Sequence, residues 1–265
     1  MHKSDYVKAQ KIVKGKDVLD LGCNSGYGTN LLSQSCNRIV GVDVSPMALE
    51  VGNARYLRGN LSFKLVDGVS LPFGDQSFDV VTSFQVVEHL PEYSAYFNEI
   101  RRVLKPDGLL LLTTPNGAIR VNPGEKPWNR FHVHEFRAVE LEELLHGYFP
   151  HVQVFGQFAS ERAYSIEFNR CVAARDNIYV TNSTNFKSQI KKILPGSVAD
   201  FFRTIRATSQ SKRAGLVSDK FMAQFSIDDF SYGTSSLNES LSLIACCAPS
   251  TEVLADCTKI FCSGK

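Results

Sequence analysis

The sequence has no long apolar segment: no stretch approaches the roughly 18 to 20 uninterrupted apolar residues that a membrane-spanning helix needs. Its N-terminus is polar and lacks a secretory hydrophobic region, so we expect a cytoplasmic protein. The net charge of +2 is close to balanced, which argues against a nucleic-acid partner. Internal repeats and low-complexity tracts are absent as well, which gives no support to a repeat architecture.

Cysteines are present, but their spacing does not suggest a site. They are an odd number and form no CxxC pair, so neither a zinc site nor a redox pair is indicated. Such cysteines are typical of small buried side chains or of free thiols in a reducing compartment. The seven residues are Cys23, Cys36, Cys171, Cys246, Cys247, Cys257 and Cys262.

Short apolar runs alternate with helix-like segments through the first 150 residues, a pattern that predicts βα units feeding a parallel sheet. The predicted strands are 17–21, 38–43, 61–66, 78–84, 109–113, 152–158 and, later in the chain, 241–248. The predicted helices are 28–34, 46–57, 92–104 and 138–147. We therefore predict an α/β fold: a doubly wound, mostly parallel, seven-stranded Rossmann-like sheet with helices on both faces and an antiparallel last strand.

The alternation fades after about residue 160, which predicts an inserted, partly helical region before the last strand. We divide the chain into a core (1–158), an inserted lid or substrate-specificity region (159–240) and the last strand with the C-terminal tail (241–265). Within the insertion, 187–213 carries an amphipathic stripe accompanied by lysines and arginines. We interpret it as a lid helix pair split at Pro195; the alternative is peripheral contact with an anionic membrane surface or a lipid-linked acceptor.

The most informative stretch is VLDLGCNSGYG, an apolar strand that ends in a glycine-spaced turn and opens a helix. Glycines let the backbone approach a ligand closely, and N–H groups at a helix start suit an anionic group. The spacing Gly22-x-x-x-Gly26-x-Gly28 differs from the G-x-G-x-x-G fingerprint of dinucleotide-binding proteins. Asp43 ends the next strand, where a carboxylate accepts hydrogen bonds from ribose hydroxyls.

Five motifs follow one another in order: VLDLGCNSGYGT, VGVDVS, LVDG, FDVVTSFQVVEHL and LKPDGLLLLTTPN. Together they resemble the class I S-adenosylmethionine-dependent methyltransferase superfamily, above all its small-molecule and glycan-modifying branches. The resemblance covers about residues 1–158 and implies S-adenosyl-L-methionine as the cofactor.

The resemblance also implies roles for individual residues. Asp20, Gly22 and Gly26 would hold the amino-acid end of the cofactor, in a turn that includes Cys23 and Asn24. The remaining cofactor contacts that it implies are ribose at Asp43, adenine at Val44, Asp67 and Gly68, the methionine portion at Gln85, and an aromatic cover at Tyr6. Asn24 replaces a glycine usual in the family, and we expect binding to be retained because asparagine tolerates left-handed backbone angles.

Two clusters are candidates for catalysis at an acceptor hydroxyl. Methyl transfer from a sulfonium needs mainly alignment and exclusion of water, and a histidine near neutral pKa is a suitable base. Glu88 and His89 follow the fourth predicted strand, and His132 lies after the fifth, so we predict these three as catalytic. The alternative for His89 is a structural histidine that supports its loop.

We accordingly predict O-methylation of a small molecule or of a glycan- or lipid-linked intermediate. One alternative is a metal-dependent enzyme similar to RNA 3′-end methyltransferases, whose E-x-x-E-H motif and later histidine hold a divalent ion. This chain has Gln85 at the first position of QVVEH, so one carboxylate is missing and we predict no metal. The other alternative is a nucleotide-binding module of the same fold without catalysis. The oligomeric state is left open.

Overall fold

The computed structural model describes residues 2–122, 124–185 and 226–262. One mixed sheet organises them, in the order β3-β2-β1-β4-β5-β8-β6-β7. The strands are β1 (Asp17–Leu21), β2 (Arg38–Asp43), β3 (Leu61–Leu65), β4 (Phe78–Phe84), β5 (Leu104–Pro115), β6 (His151–Ala159), β7 (Phe230–Gly233) and β8 (Ser242–Ala248). Neighbouring strands from β3 to β5 are parallel, whereas β8 runs antiparallel to both β5 and β6. The carboxyl ends of β1, β2, β4 and β5 therefore meet at one edge of the sheet.

Helices cover both faces of this sheet. They are α1 (His2–Ile12), α2 (Tyr27–Leu32), α3 (Pro46–Arg55), α4 (Ser94–Val103), α5 (Gly117–Arg120), α6 (Ala138–His146), α7 (Glu161–Asn185) and α8 (Thr251–Cys262). Buried side chains of α1, α2 and α8 form one apolar cluster, and those of α4 and α6 form another on the opposite face. The arrangement is doubly wound.

Side-chain alternation explains how single strands serve both clusters. In β1, Val18 packs on the face of α1 and α2, whereas Leu19 and Leu21 pack on the face of α4. Asp20 shares the face of Val18 because strand side chains alternate with a period of two. Its carboxylate is thereby turned toward α2, where it accepts a hydrogen bond from Thr29.

The structure confirms the predicted fold class and adds elements that the sequence pattern did not reveal. β7 is an eighth, short edge strand that pairs with β6, and β5 begins at Leu104, five residues before the predicted start. The C-terminal tail, in which no helix is predicted, forms α8 and buries Cys257 and Phe261. The division of the chain into three parts stays a prediction, and the basic segment 187–213 lies outside the described residues.

All seven cysteines are free, and six of them are buried, as the sequence predicts; Cys262 is exposed. Among the described residues, no helix combines the length and the apolar character needed to cross a membrane.

Candidate functional site

A cleft of about 510 Å³ opens at the carboxyl ends of β1, β2 and β4. This volume falls within the roughly 300 to 1,000 Å³ typical of small-molecule sites. Six predicted cofactor residues line it: Gly22, Asn24, Asp43, Val44, Gly68 and Gln85. The predicted catalytic residue His89 lines it too, so the structure brings the two predicted sites together.

The turn between β1 and α2 alternates into left-handed backbone angles. Gly22, Asn24 and Gly26 have φ values of 70°, 48° and 79°. Asn24 adopts this conformation in place of a glycine, as expected, and its side-chain oxygen accepts a hydrogen bond from the Ser25 amide at 2.6 Å. The turn thus keeps its shape with a side chain at the cleft wall.

The glycines of this turn are required by packing inside the protein. A Cβ on Gly22 would lie 2.5 Å from Val86 Cγ2, a Cβ on Gly26 would overlap the ring of Phe63, and a Cβ on Gly28 would overlap the ring of Tyr6. All three positions therefore require glycine because neighbouring side chains approach the backbone closely. Gly22 also lines the cleft, where a ligand can approach its backbone. The other side of the turn faces the cleft, which Gly22, Asn24 and Ser25 line.

Asp43 is fixed at the end of β2 by two backbone amides. Its Oδ2 accepts from the Asn24 N–H at 2.8 Å and its Oδ1 accepts from the Ser45 N–H at 2.9 Å. Burial raises the pKa of Asp43, and these two hydrogen bonds counteract the rise. The carboxylate is preorganised at the cleft wall, where each oxygen keeps a second lone pair for a ligand.

Asp20 supports the turn instead of facing the cleft. It is 1% exposed, and its two oxygens accept hydrogen bonds from the hydroxyls of Thr29 and Thr82, each at 2.7 Å. Burial raises its pKa to about 6. The carboxylate ties α2 and β4 to β1, and its contact with the amino-acid end of the cofactor stays a prediction. Neither threonine carries a sequence signal that marks this role.

Four other predicted cofactor residues also lie away from the cleft lining: Tyr6, Cys23, Gly26 and Asp67. Tyr6 packs on Phe84 at a centroid distance of 4.7 Å. Asp67 is exposed, and its Oδ1 accepts from the amides of Val69 and Ser70 at 2.8 and 2.9 Å, which lowers its pKa. These hydrogen bonds hold the turn that presents Gly68, and the direct adenine contact of Asp67 stays a prediction.

Gln85 follows β4 with a left-handed φ of 59°, which is uncommon for a residue with a side chain. Its amide donates to Thr113 Oγ1 at 3.2 Å. Strained backbone at the end of a strand is found at functional sites more often than elsewhere. Gln85 lines the cleft where β4 ends, with its side-chain amide held by Thr113 of β5.

The predicted catalytic residues form an acid–imidazole cluster, which we define as Glu88, His89 and His132. One potential ligand atom of each lies within 4.8 Å of the others, and the two imidazole rings meet edge to face at a centroid distance of 4.8 Å. Glu88 is 1% exposed and accepts from the Thr114 hydroxyl at 3.1 Å. Burial raises the pKa of Glu88 to about 8.

Two outer partners hold the imidazoles of the acid–imidazole cluster. His89 Nδ1 lies 2.9 Å from the carbonyl oxygen of Phe131, and His132 Nδ1 lies 2.6 Å from Glu135 Oε1. Both oxygens are acceptors, so both Nδ1 atoms carry the proton in the neutral rings. Burial lowers the pKa of His89.

Sequence reasoning missed the buried pair behind the cluster. Glu135 Oε2 accepts from Arg120 Nε at 2.8 Å, and both side chains are almost fully buried. Burial alone would raise the pKa of Glu135, but the hydrogen bonds from His132 and Arg120 outweigh it and leave the pKa lowered. Arg120 lies on α5, a four-residue helix without a sequence signature, so only the fold reveals its role.

Comparison with known proteins adds three findings. A family profile described as a methyltransferase domain matches residues 19–112. A probable S-adenosylmethionine-dependent methyltransferase of Mycolicibacterium smegmatis is 39% identical over 150 residues, which cover 54% of this chain and 55% of that protein. A ubiquinone biosynthesis O-methyltransferase of Coxiella burnetii is 30% identical over 113 residues, covering 42% of this chain and 48% of that protein. The chain spans about half the length of these curated relatives.

A solved structure shares the fold. The [4+2]-cyclase SpnF superposes with a TM-score of 0.55 at 20% identity, over 93% of this chain and 81% of that chain. The name of this cyclase describes a reaction other than methyl transfer, and the likeness concerns the fold alone.

Proposed function

We propose that this chain, which belongs to the class I S-adenosylmethionine-dependent methyltransferase superfamily, binds S-adenosyl-L-methionine in the cleft and methylates an oxygen atom of its acceptor. The acceptor is a small molecule or a glycan- or lipid-linked intermediate. The observation that carries the proposal is the carboxylate of Asp43, fixed by the Asn24 and Ser45 amides at the wall of a cleft of ligand size.

The cleft lining fits the cofactor in three parts. Asp43 is positioned to accept hydrogen bonds from the two ribose hydroxyls, since both of its oxygens are held in place. Val44, Met47 and Val69 offer an apolar surface to the adenine, and both Met47 and Val69 are about half exposed in this structure. The turn at Gly22 and the Gln85 amide border the end of the cleft assigned to the methionine portion.

Methyl transfer from a sulfonium requires no covalent intermediate with the protein. When bound, S-adenosyl-L-methionine supplies a methyl group on a positively charged sulfur, which leaves as a neutral thioether as the acceptor oxygen attacks. The chain must orient the acceptor hydroxyl, exclude water and remove its proton. His89 lines the cleft and belongs to the acid–imidazole cluster, so we assign the removal of the proton to this cluster.

Oxygen as the methylated atom rests on two considerations. A base or an equivalent proton-removing group is needed at an alcohol or phenol, and the acid–imidazole cluster supplies such groups beside the cleft. The relative from Coxiella burnetii, named as a ubiquinone biosynthesis O-methyltransferase, points to the same chemistry. A cytoplasmic location, and a membrane or lipid-linked contact through 187–213, stay predictions.

Two measurements test the proposal. In thermal unfolding, S-adenosylmethionine and S-adenosylhomocysteine should raise the melting temperature and NAD should not, because a ligand that prefers the native state stabilises it. Stabilisation by NAD alone would overturn the assignment of the cofactor.

Transfer of labelled methyl to a panel of sugars, phenols and lipid-linked glycans tests catalysis. We expect His89→Ala to lower turnover about 100-fold or more, the usual contribution of a proton-transfer group. His134→Ala is the matched control, since the His134 side chain contacts Glu140, and the hydrogen bond from its backbone N–H to the Glu88 carbonyl is kept by alanine. Equal turnover by both variants would remove the cluster from the reaction.

A further inference from the structure

One wall of the cleft is an irregular segment. The structure describes all of residues 66–77, which connect β3 to β4, and they form neither helix nor strand. Long irregular connections are uncommon in compact domains and usually functional. Since no helix fixes this connection, its shape depends on contacts with the rest of the protein. Four of its residues line the cleft: Gly68, Val69, Ser70 and Leu71.

A single side chain of α4, that of Arg102, holds the connection. A guanidinium carries five N–H donors in a planar fork, and Arg102 uses all five. Its Nη1 donates to the Phe73 carbonyl and to Asp75 Oδ1, each at 2.8 Å. Its Nη2 donates to the Leu71 carbonyl at 2.9 Å. The last two donors, on Nε and Nη2, bind the two carboxylate oxygens of Glu99, each at 2.8 Å.

Glu99 completes this support, and we call Glu99 and Arg102 together the loop clamp. Glu99 Oε2 accepts from the Leu71 N–H at 2.7 Å, so the clamp holds both backbone polar groups of Leu71. Glu99 also lines the cleft. The hydrogen bonds from Arg102 lower the pKa of Glu99, which keeps its carboxylate ionised at neutral pH.

The other end of the connection is joined to the strand that carries the predicted ribose contact. The Val66 N–H donates to the Asp43 carbonyl at 3.1 Å. Between the two attachments, Gly68 has a φ of 84°, which glycine adopts without strain. The wall beside Asp43 is therefore held at Val66 and again at Leu71. A wall fixed in this way can present backbone polar groups to a ligand in one defined position.

We propose that Glu99 and Arg102 are positioning residues of the cofactor site: by holding the β3–β4 connection, they make it a wall that distinguishes adenine from other bases. The inference rests on the proposed function, because a ribose bound at Asp43 directs its base toward this wall. Arg102 acts through the connection, whereas Glu99 also borders the cleft. Both residues lie between the fourth and fifth sequence motifs, so the motifs assign them no role.

Isothermal titration with two nucleosides tests the role of the loop clamp. S-adenosylhomocysteine carries adenine, and S-inosylhomocysteine carries hypoxanthine, which differs at the edge of the base. We expect the parent to prefer S-adenosylhomocysteine about 10-fold or more, because a fixed polar wall rejects a base with altered edge groups. Arg102→Lys keeps the charge but loses the fork, so its affinity for S-adenosylhomocysteine should fall about 10-fold and its preference should shrink to about 3-fold or less.

Arg101→Lys is the matched control. Arg101 is the adjacent residue of α4, is exposed, and forms no hydrogen bond or ion pair with the residues that the structure describes. It should bind both nucleosides as the parent does. Thermal unfolding without ligand shows whether each variant is folded. If Arg102→Lys is unstable, Asp75→Asn replaces it: Asp75 is 74% exposed, and the loss of this one contact should lower the preference about 2-fold.

The outcomes separate the loop clamp from the cofactor site itself. A parent that binds both nucleosides with equal affinity keeps the cofactor site and overturns the inference. So does a preference that Arg102→Lys and Asp75→Asn leave unchanged, or an equal loss in Arg101→Lys. A folded parent that binds neither nucleoside contradicts the proposed function, and the inference is then rejected with it.

Discussion

The cofactor cleft and the acid–imidazole cluster lie side by side, yet the chain builds them differently. In the cleft, backbone amides of Asn24 and Ser45 hold the key carboxylate of Asp43, and a turn of left-handed residues shapes the wall. Behind His132 in the cluster, side chains hold a side chain: Glu135 joins His132 to Arg120 in a buried chain of contacts, whereas the backbone carbonyl of Phe131 holds His89. A group held by backbone amides keeps its hydrogen bonds when the neighbouring side chains change. A group held by side chains loses its support when any one of those side chains is replaced.

The largest expected effect is on the cluster. Arg120→Met leaves Glu135 buried with one partner fewer, and breaking a buried ion pair from one side costs about 3–5 kcal/mol. We expect a fall in melting temperature of about 10 °C, measured by calorimetry. The affinity for S-adenosylhomocysteine of the folded variant should match that of the parent.

The double variant Arg120→Met/Glu135→Gln is the control for this prediction. Removing both charges should recover part of the lost stability, because residue 135 then carries no charge, and Glu167, which also contacts Arg120, keeps its ion pair with Arg170. A double variant less stable than Arg120→Met alone, or a large loss of nucleoside affinity, would show that the two regions are not independent.

In the cleft, we expect the largest loss of stability where a substitution disturbs the packing around a glycine of the turn. Gly26→Ala combines a φ of 79° with overlap on Phe63, so we expect a loss of about 3 kcal/mol in the free energy of unfolding. Gly15→Ala is the matched control: its φ is 70°, but nothing lies within 4 Å of the added Cβ. It should cost about 1 kcal/mol from backbone strain alone. Denaturant unfolding of both variants measures the difference, and similar losses would contradict the packing argument.

A smaller effect concerns the support of α1, the helix that carries Tyr6 against the cofactor turn. Asp5 is buried and accepts from Gln157 Nε2 at 2.6 Å and from the Tyr232 hydroxyl at 2.9 Å. Burial raises its pKa from 3.8 to about 7. A raised folded-state pKa means that the stability from this group is fully present below about pH 4 and is lost as the pH rises through 7.

Asp5→Asn should therefore remove part of the fall in melting temperature between pH 4 and pH 8. The difference between parent and variant isolates this group, with the exposed Asp107→Asn as the control for a change in surface charge. Parallel pH profiles for parent and Asp5→Asn would contradict the assignment.

The smallest effect is expected at Asn24. Its φ of 48° suits glycine at least as well, but glycine also gains freedom in the unfolded chain. Asn24→Gly should therefore change the free energy of unfolding by less than about 1 kcal/mol, as measured by denaturant titration. A larger loss would show that the Asn24 side chain, which accepts from the Ser25 amide, supports the turn.

The cleft and the cluster also differ in how much of their structure could be predicted from the sequence. The ends of β1, β2 and β4 and the position of Asp43 could be predicted, since local apolar runs and turn residues specify them. Asp20 was predicted as a ligand contact, which stays a prediction, but its hydrogen bonds with Thr29 and Thr82 could not be predicted from the sequence. The motif identifies Asp20 as important, but the contacts of its side chain depend on which helix covers that face of the sheet.

The support of the cluster could not be predicted because its members come from separate segments. Arg120 precedes Glu135 by a loop without periodicity, and nothing local indicates that their side chains meet. The helix α8 was missed for a related reason: it is stabilised by burying Cys257 and Phe261 against the sheet, and its sequence alone is weakly helical.

The central claim is that Asp43 holds the sugar of a sulfur nucleoside at the end of β2. Isothermal titration of the parent and of Asp43→Asn with S-adenosylhomocysteine tests it most directly. We predict one nucleoside per parent chain and an affinity about 10- to 100-fold weaker for the variant, since a hydrogen bond to a charged group contributes about 1.5–3 kcal/mol. No binding to the parent, or equal affinities for both proteins, would contradict the account.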